Sequence, residues 1–282
     1  MKKWTALLLA LAAALALTAC GRTQQQQQPV NGGAQQDVTL PAAPDEGYTA
    51  GSGDIVQIKG FRSIDIEWVS GAVDVVLYDG EGIELTETLA DGGSVTQPME
   101  WRVDEDDSTL DIRSQPQLVS LVEEKHLTVK LPRSMVLHEL DINAVSADVS
   151  VDLTEEDTLT LQELDVSSVS GNVSVSAANA GEISLSTTSG AVSGSVRTAK
   201  LEADTVSGTV ALTLEVLPTE LEVETVSGGV ALTLTEKPAV PVNVVFRTVS
   251  GQLDSDVDST VGADCVWEIE TTSGDAVIRI AA

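Results

Sequence analysis

Three pairs of carboxylates recur at matched places in the chain: Glu202 and Asp204, Glu222 and Glu224, Glu268 and Glu270. Each pair stands five and three residues ahead of a Ser-Gly dipeptide. One residue separates the two members, which is strand spacing and sends both side chains to one face. If successive copies lie side by side, carboxylates in one slot sit about 4.8 Å apart and repel. Two outcomes follow. The charges splay into water and are screened, or Glu202, Asp204, Glu222 and Glu224 form a weak Ca²⁺ site, since hard oxygen ligands suit that ion. Arg247 holds the matching slot between Glu224 and Glu270 in sequence, so it is expected to lie between them and pair with both.

Little else in the chain suggests catalysis. His126 and His138 stand outside any HExxH-type frame. No glycine-rich phosphate loop or nucleotide fingerprint occurs. The Ca²⁺-binding nonapeptide repeat is missing too. The carboxylates fall on what should be an outer face, with no predicted pocket to shift their pKa values. The chain is therefore expected not to be an enzyme, and no cofactor is expected beyond the Ca²⁺ option.

The elements that position these residues follow from a repeat. Ser-Gly recurs at Ser70-Gly71, Ser170-Gly171, Ser189-Gly190, Ser207-Gly208, Ser227-Gly228, Ser250-Gly251 and Ser273-Gly274, with Ser146-Ala147 as a degenerate copy. From Ser146 onward the spacing is about twenty residues, the mark of stacked coils. Six residues before each serine stand Ile64, Leu140, Leu164, Ile183, Leu201, Leu221, Val244 and Trp267. Four before it stand Ile66, Ile142, Val166, Leu185, Ala203, Val223, Phe246 and Ile269. Apolar residues with a period of two read as half-buried strands. After the corner the inward parity shifts, as in Val210-Leu212-Leu214 and Val230-Leu232-Leu234, so one extra residue sits at the bend. Glycine suits such a bend through positive φ, and serine through its hydroxyl. The Val or Thr just before each serine should point outward by parity. The expected fold is all-β, a right-handed β-solenoid built as a single-stranded stack of coils. A hairpin-containing irregular insertion is expected near its N-terminal part, and the ladder is clearest over 140–280.

Composition agrees with a slender core: 42% of the 282 residues are hydrophobic and only 3% aromatic. The 44 acidic and 15 basic residues give a net charge of −29. Such a surface excludes nucleic acid as a partner and disfavours adsorption to anionic lipid. It leaves cationic peptides, amine-bearing polymers and divalent metals.

The N-terminus carries its own message. Lys2 and Lys3 precede an apolar run from Trp4 to Leu17, followed by Leu17-Thr18-Ala19-Cys20. This resembles a bacterial lipoprotein signal. The resemblance implies cleavage before Cys20, diacylglyceryl transfer to its thiol and stable membrane attachment through the lipid. Residues 1–19 are then the signal peptide. Residues 20–53 are the lipidated cysteine with a disordered Gln/Gly/Pro-rich tether, and 54–282 form the solenoid domain. Cys265 has no partner for a disulfide once Cys20 is acylated, and is expected to be a small buried residue.

Between Ser70 and Ser146 the repeat lapses. Ile83–Leu89 alternates as a strand, Trp101–Val103 and Leu110–Arg113 flank a turn-like run, and Leu127–Leu131 ends at Pro132. The order of a Ser-Gly coil, a hairpin, a strand ending in Leu-Pro and then a Val-Ser-Gly ladder resembles the bacterial DUF4097 family of adhesin candidates. That resemblance implies a β-solenoid, an extracytoplasmic envelope location and an adhesive or scaffold role. The partner would be an envelope polymer, a host surface or another protein. An alternative is an envelope-stress sensor or decoy binding cationic peptides. Self-association is a further expectation, through an unprotected strand at Val277–Ile280.

Overall fold

The computed structural model describes residues 47–55, 62–104, 108–115, 123–154 and 159–281. The expected signal peptide, Cys20 and most of the expected tether lie outside these residues. Strand-forming alternation dominates the rest, and the described residues hold no helix long and apolar enough to cross a membrane.

The N-terminal strands are β1 (Thr49–Ala50), β2 (Gly53–Ile55), β3 (Ser63–Tyr78), β4 (Ile83–Leu89), β5 (Glu100–Asp104), β6 (Thr109–Arg113) and β7 (Lys125–Pro132). The coils of the ladder follow as β8 (Val136–Asp152), β9 (Thr160–Ser168), β10 (Val173–Thr187), β11 (Val192–Arg197), β12 (Lys200–Ser207), β13 (Val210–Leu214), β14 (Glu220–Ser227) and β15 (Val230–Leu234). The last four are β16 (Val242–Ser250), β17 (Leu253–Ser255), β18 (Cys265–Ser273) and β19 (Ala276–Ile280).

The architecture is all-β and solenoid-like. Each coil contributes one strand before its corner and one after, so two parallel ladders run the length of the stack. In the first, Ile64 faces Leu140, which faces Leu164, then Ile183, Leu201 and Leu221. In the second, Val73 faces Val149, which faces Val173, then Val192, Val210 and Val230. These columns are buried and form one continuous apolar interior. The aliphatic character of that interior follows from its width, since each coil offers only a few inward positions.

The corners stack glycine on glycine. A Cβ added to Gly171, Gly190, Gly208 or Gly228 would collide with the carbonyl oxygen of Ala147, Gly171, Gly190 or Gly208 respectively. Gly274 meets Gly228 in the same way, and Gly251 meets Gly274. Among these corner glycines only Gly71 has positive φ, at 106°. The expectation from backbone freedom is therefore corrected: close approach of the neighbouring backbone, rather than positive φ, demands glycine at the other corners. The corner serines of the ladder face solvent. The inward hydroxyl belongs to the residue two places earlier. Ser168, Thr187 and Thr205 donate from their side chains to the carbonyls of Ala147, Gly171 and Gly190 at 3.2, 3.0 and 3.3 Å. Val145, Val206, Val226 and Val249 point outward.

The segment between the first two corners closes one end of the stack. β6 and β7 pair in parallel with the two halves of β3. β5 then adds antiparallel to β6, and β4 antiparallel to β7. The short strands β1 and β2 finish these edges. A buried ion pair ties the cap, with Lys125 Nζ 3.0 Å from Glu87 and the Glu87 carboxylate accepting from the Met99 amide.

The opposite end departs from sequence order. β14 pairs with β18, and β18 with β16. β15 pairs with β19, and β19 with β17. The chain lays β16 and β17 one coil further out and returns to fill the gap with β18 and β19. Side-chain size accounts for this placement. Trp267 is fully buried as an interior layer, and its indole donates to the Pro218 carbonyl at 3.0 Å. Val244 and Phe246 occupy the outer coil half-buried. The expected edge at Val277–Ile280 is thereby corrected, because β17 covers β19 at Ala276–Ile278 and the outermost strands at this end are β16 and β17.

Gly208→Ala should destabilise the fold by about 1–3 kcal/mol, the usual cost of overpacking. Gly229→Ala, where the nearest neighbour of a new Cβ is 3.6 Å away, should leave the melting temperature nearly unchanged. Equal melting temperatures for the two variants would contradict the stacked corners.

Candidate functional site

The parallel register turns each outward position of the first ladder into a column running along the stack. One column reads Asp111, Asp65, Asp141, Asp165, Ser184, Glu202, Glu222, Glu268 and Val245. Its neighbour, two residues nearer the corner, reads Arg113, Glu67, Asn143, Ser167, Ser186, Asp204, Glu224, Glu270 and Arg247. A third contains Glu139, Glu163, Glu182, Lys200 and Glu220. Together they make a broad acidic face.

All six carboxylates group, although the sequence placed only Glu202, Asp204, Glu222 and Glu224 side by side. Glu202 faces Glu222, which faces Glu268; Asp204 faces Glu224, which faces Glu270. Arg247 is the correction. Because β18 sits inside β16, Arg247 lies beyond Glu270 at the end of the column and does not separate it from Glu224. It bonds Glu268 at 2.9 Å and lies 4.0 Å from Glu270. The like-charged run is longer than the sequence reading allowed, and Arg247 makes its ion pairs at the end of that run, with Glu268 and Glu270. Lys200 pairs with Glu182 within the third column.

Asp65, Asp141 and Asp165 were missed. The alignment on the corner serines already held the signal, since each stands five residues before Ser70, Ser146 or Ser170. Nor does an open face leave carboxyls unperturbed. Burial beside flanking side chains, reinforced by Asp165 and Asp65, raises Asp141 to about 7. Burial, then Glu202 and Glu224, raises Asp204 to about 7. Asp65 and Asp165 are each pushed to about 6, again chiefly by burial. Glu202 and Glu224 are raised by the same two causes. The expectation that a pocket would be needed is therefore overturned: close-packed neighbours at strand spacing desolvate the carboxyls without one.

Among the described residues, no group of three or more His, Cys, Asp or Glu side chains is placed to hold a metal ion. The carboxylates form ladders rather than converging. His126 lies half-exposed on the second ladder, with Nε2 2.6 Å from Asp74, and His138 is exposed on β8. Cys265 is buried, its thiol donates to the Pro218 carbonyl at 3.0 Å, and burial raises its pKa, which makes it an unreactive filler. The arrangement is suited to holding positive charge along an extended surface.

A carboxyl raised above its ordinary value holds its proton more tightly in the folded chain. The stability these carboxyls contribute is therefore fully present below about pH 3.8 and is lost as pH rises towards about 7. The melting temperature should be higher at pH 5 than at pH 8. Asp141→Asn and Asp204→Asn should each raise it at pH 8, by on the order of 1 kcal/mol after solvent screening, or about 2–4 °C. Both should flatten the pH dependence, and a melting temperature that climbs from pH 5 to pH 8 would contradict the assignment.

Residues 61–280 match the Toastrack family DUF4097. No curated protein matches the chain. Several solved structures resemble it. A candidate cell-adhesion protein of Clostridium sporogenes is 14% identical, with a TM-score of 0.43, over 83% of this chain and 100% of that one. A candidate adhesin of Parabacteroides distasonis is 14% identical, with a TM-score of 0.44, over 84% and 98%. One from Bacteroides fragilis is 13% identical, with a TM-score of 0.40, over 84% and 99%. Likenesses this distant carry nothing about a site.

Proposed function

The chain belongs to the DUF4097 Toastrack family, and on that premise we propose that it is a non-enzymatic, lipid-anchored extracytoplasmic binding module of adhesin type. Its acidic face takes a cationic partner. The observation that carries this reading is the in-register acidic ladder, in which Glu202, Glu222 and Glu268 lie beside Asp204, Glu224 and Glu270 without an intervening base. A partner with regularly spaced amines or guanidinium groups, such as a basic peptide or an amine-bearing envelope polymer, would relieve the mutual repulsion of the carboxylates. Its own charge would meet an opposing field over a long surface. A chelated Ca²⁺ is the less favoured occupant, because the carboxylates stand in files.

The Leu17-Thr18-Ala19-Cys20 sequence supports attachment through a lipid on Cys20, with the residues after it as a tether. The same face supports the sensor or decoy reading, in which the bound cation is an antimicrobial peptide. A histidine-kinase system encoded beside the gene would favour that version.

Oligolysine should bind the full-length protein at low ionic strength and weaken steeply with added salt. Asp204→Asn, Glu222→Gln and Glu224→Gln combined should weaken binding about tenfold, or 1.4 kcal/mol. Absence of binding at low salt would end the proposal. Labelled palmitate should mark the parent chain and not Cys20→Ala.

A further inference from the structure

The two ends of the stack are finished differently. At one end, antiparallel strands and the buried Lys125–Glu87 pair close the core, and the outermost strands β1 and β2 are two and three residues long. At the other end stands β16, nine residues long, which among the described strands pairs with β18 alone. A returning loop covers its first part. The Thr260 amide donates to the Val242 carbonyl at 2.8 Å, the Val244 amide donates to Ser259 Oγ at 3.0 Å, and that hydroxyl donates to the Val244 carbonyl at 3.0 Å. These bonds show that Val242 and Val244 direct their backbone groups to the free side. By the alternation of a strand, Phe246 and Thr248 do the same beyond the loop.

The core is also open there. Val244, Phe246 and Leu253 are half-buried, whereas Trp267, Ile269 and Ile278 one coil further in are fully buried. Val249 is 84% exposed.

The edge differs chemically from the rest of the face. The slots filled by Glu222 and Glu224, then by Glu268 and Glu270, hold Val245 and Arg247 in β16. No acidic residue lies within Val242–Ser250, in a chain with 44 of them. Arg247 is already held by Glu268. A coil that continued the acidic ladder would repel any acidic neighbour. The β16 strand has shed the charge that would prevent a second copy of so acidic a chain from approaching, and the acids that follow in the same coil, Asp254 and Asp256, are paired with Arg279.

We infer that β16 is a homodimer edge. Two copies join across a twofold axis, with their β16 strands pairing antiparallel around Phe246–Ser250. The same acid-free edge is then supplied by both partners, and the half-buried Phe246 and exposed Val249 are covered. Because the opposite end is closed, the contact produces a closed pair and not a fibre. The inference does not depend on the acidic face binding any ligand.

The test uses the full-length protein with Val249→Cys and a short bis-maleimide. The parent chain sets the background from its own cysteines, and Thr213→Cys on the second ladder is the surface control. A crosslinked dimer is expected from Val249→Cys, well above both controls. Adding Thr248→Pro should abolish it. The Thr248 amide faces the free side, so proline there removes no internal hydrogen bond, and the double variant should keep the melting temperature of the single one. No dimer above the controls would overturn the inference. So would a dimer that survives Thr248→Pro, or a crosslink to a different protein or within one chain.

Discussion

Backbone crowding at the corners governs this molecule. Each corner glycine from Gly171 onward presses against the carbonyl of the corner in the adjacent coil, with Ala147 at the base of that row, and a Cβ on any of them would collide with that carbonyl. The inward threonines lock the same point by bonding those carbonyls. A coil that slipped by one residue would bring a side chain into the glycine position and turn its apolar set to solvent. Close packing at one edge therefore fixes register through the whole stack, and register fixes everything else.

One consequence is favourable and the other is not. In-register stacking gathers Leu, Ile and Val into inward columns and builds a core without large rings. The same stacking gathers Asp and Glu into outward columns. Asp141 and Asp204 sit among like charges with part of their hydration removed, and both are raised to about 7. A surface kept in that state stores unfavourable energy that a cationic partner can release. Sites of function often carry such a cost, met elsewhere in the structure.

Much of this was legible in the sequence. The columns through Ile64 and Ile66 needed only alignment on the serines, and every aligned residue lies in the column that the alignment implies. The order of the last coils was not legible. A repeat specifies which residues share a column and not which coils adjoin, so β18 and β16 carry equivalent signals. Only Trp267, too large to be left at an open end, hints at the exchange. Asp141 and Asp165 were visible in the same alignment but stood in coils whose neighbouring slot holds Asn143 or Ser167, so they did not read as pairs, whereas Asp65 and Glu67 form a fourth pair ahead of Ser70 that was overlooked. Positive φ was the natural reason to place glycine at a bend, and the contact that selects it becomes visible only once the next coil is in place.

Coil order and register can be tested together by disulfide trapping. Val226, Thr272 and Val249 point outward just before their corners, and the stack places Thr272 between the other two. Adjacent strands lie about 4.8 Å apart, within the span of a disulfide. Val226→Cys with Thr272→Cys should therefore oxidise readily to an intramolecular bond, and Val226→Cys with Val249→Cys should not. Efficient bonding of the second pair and failure of the first would contradict the account.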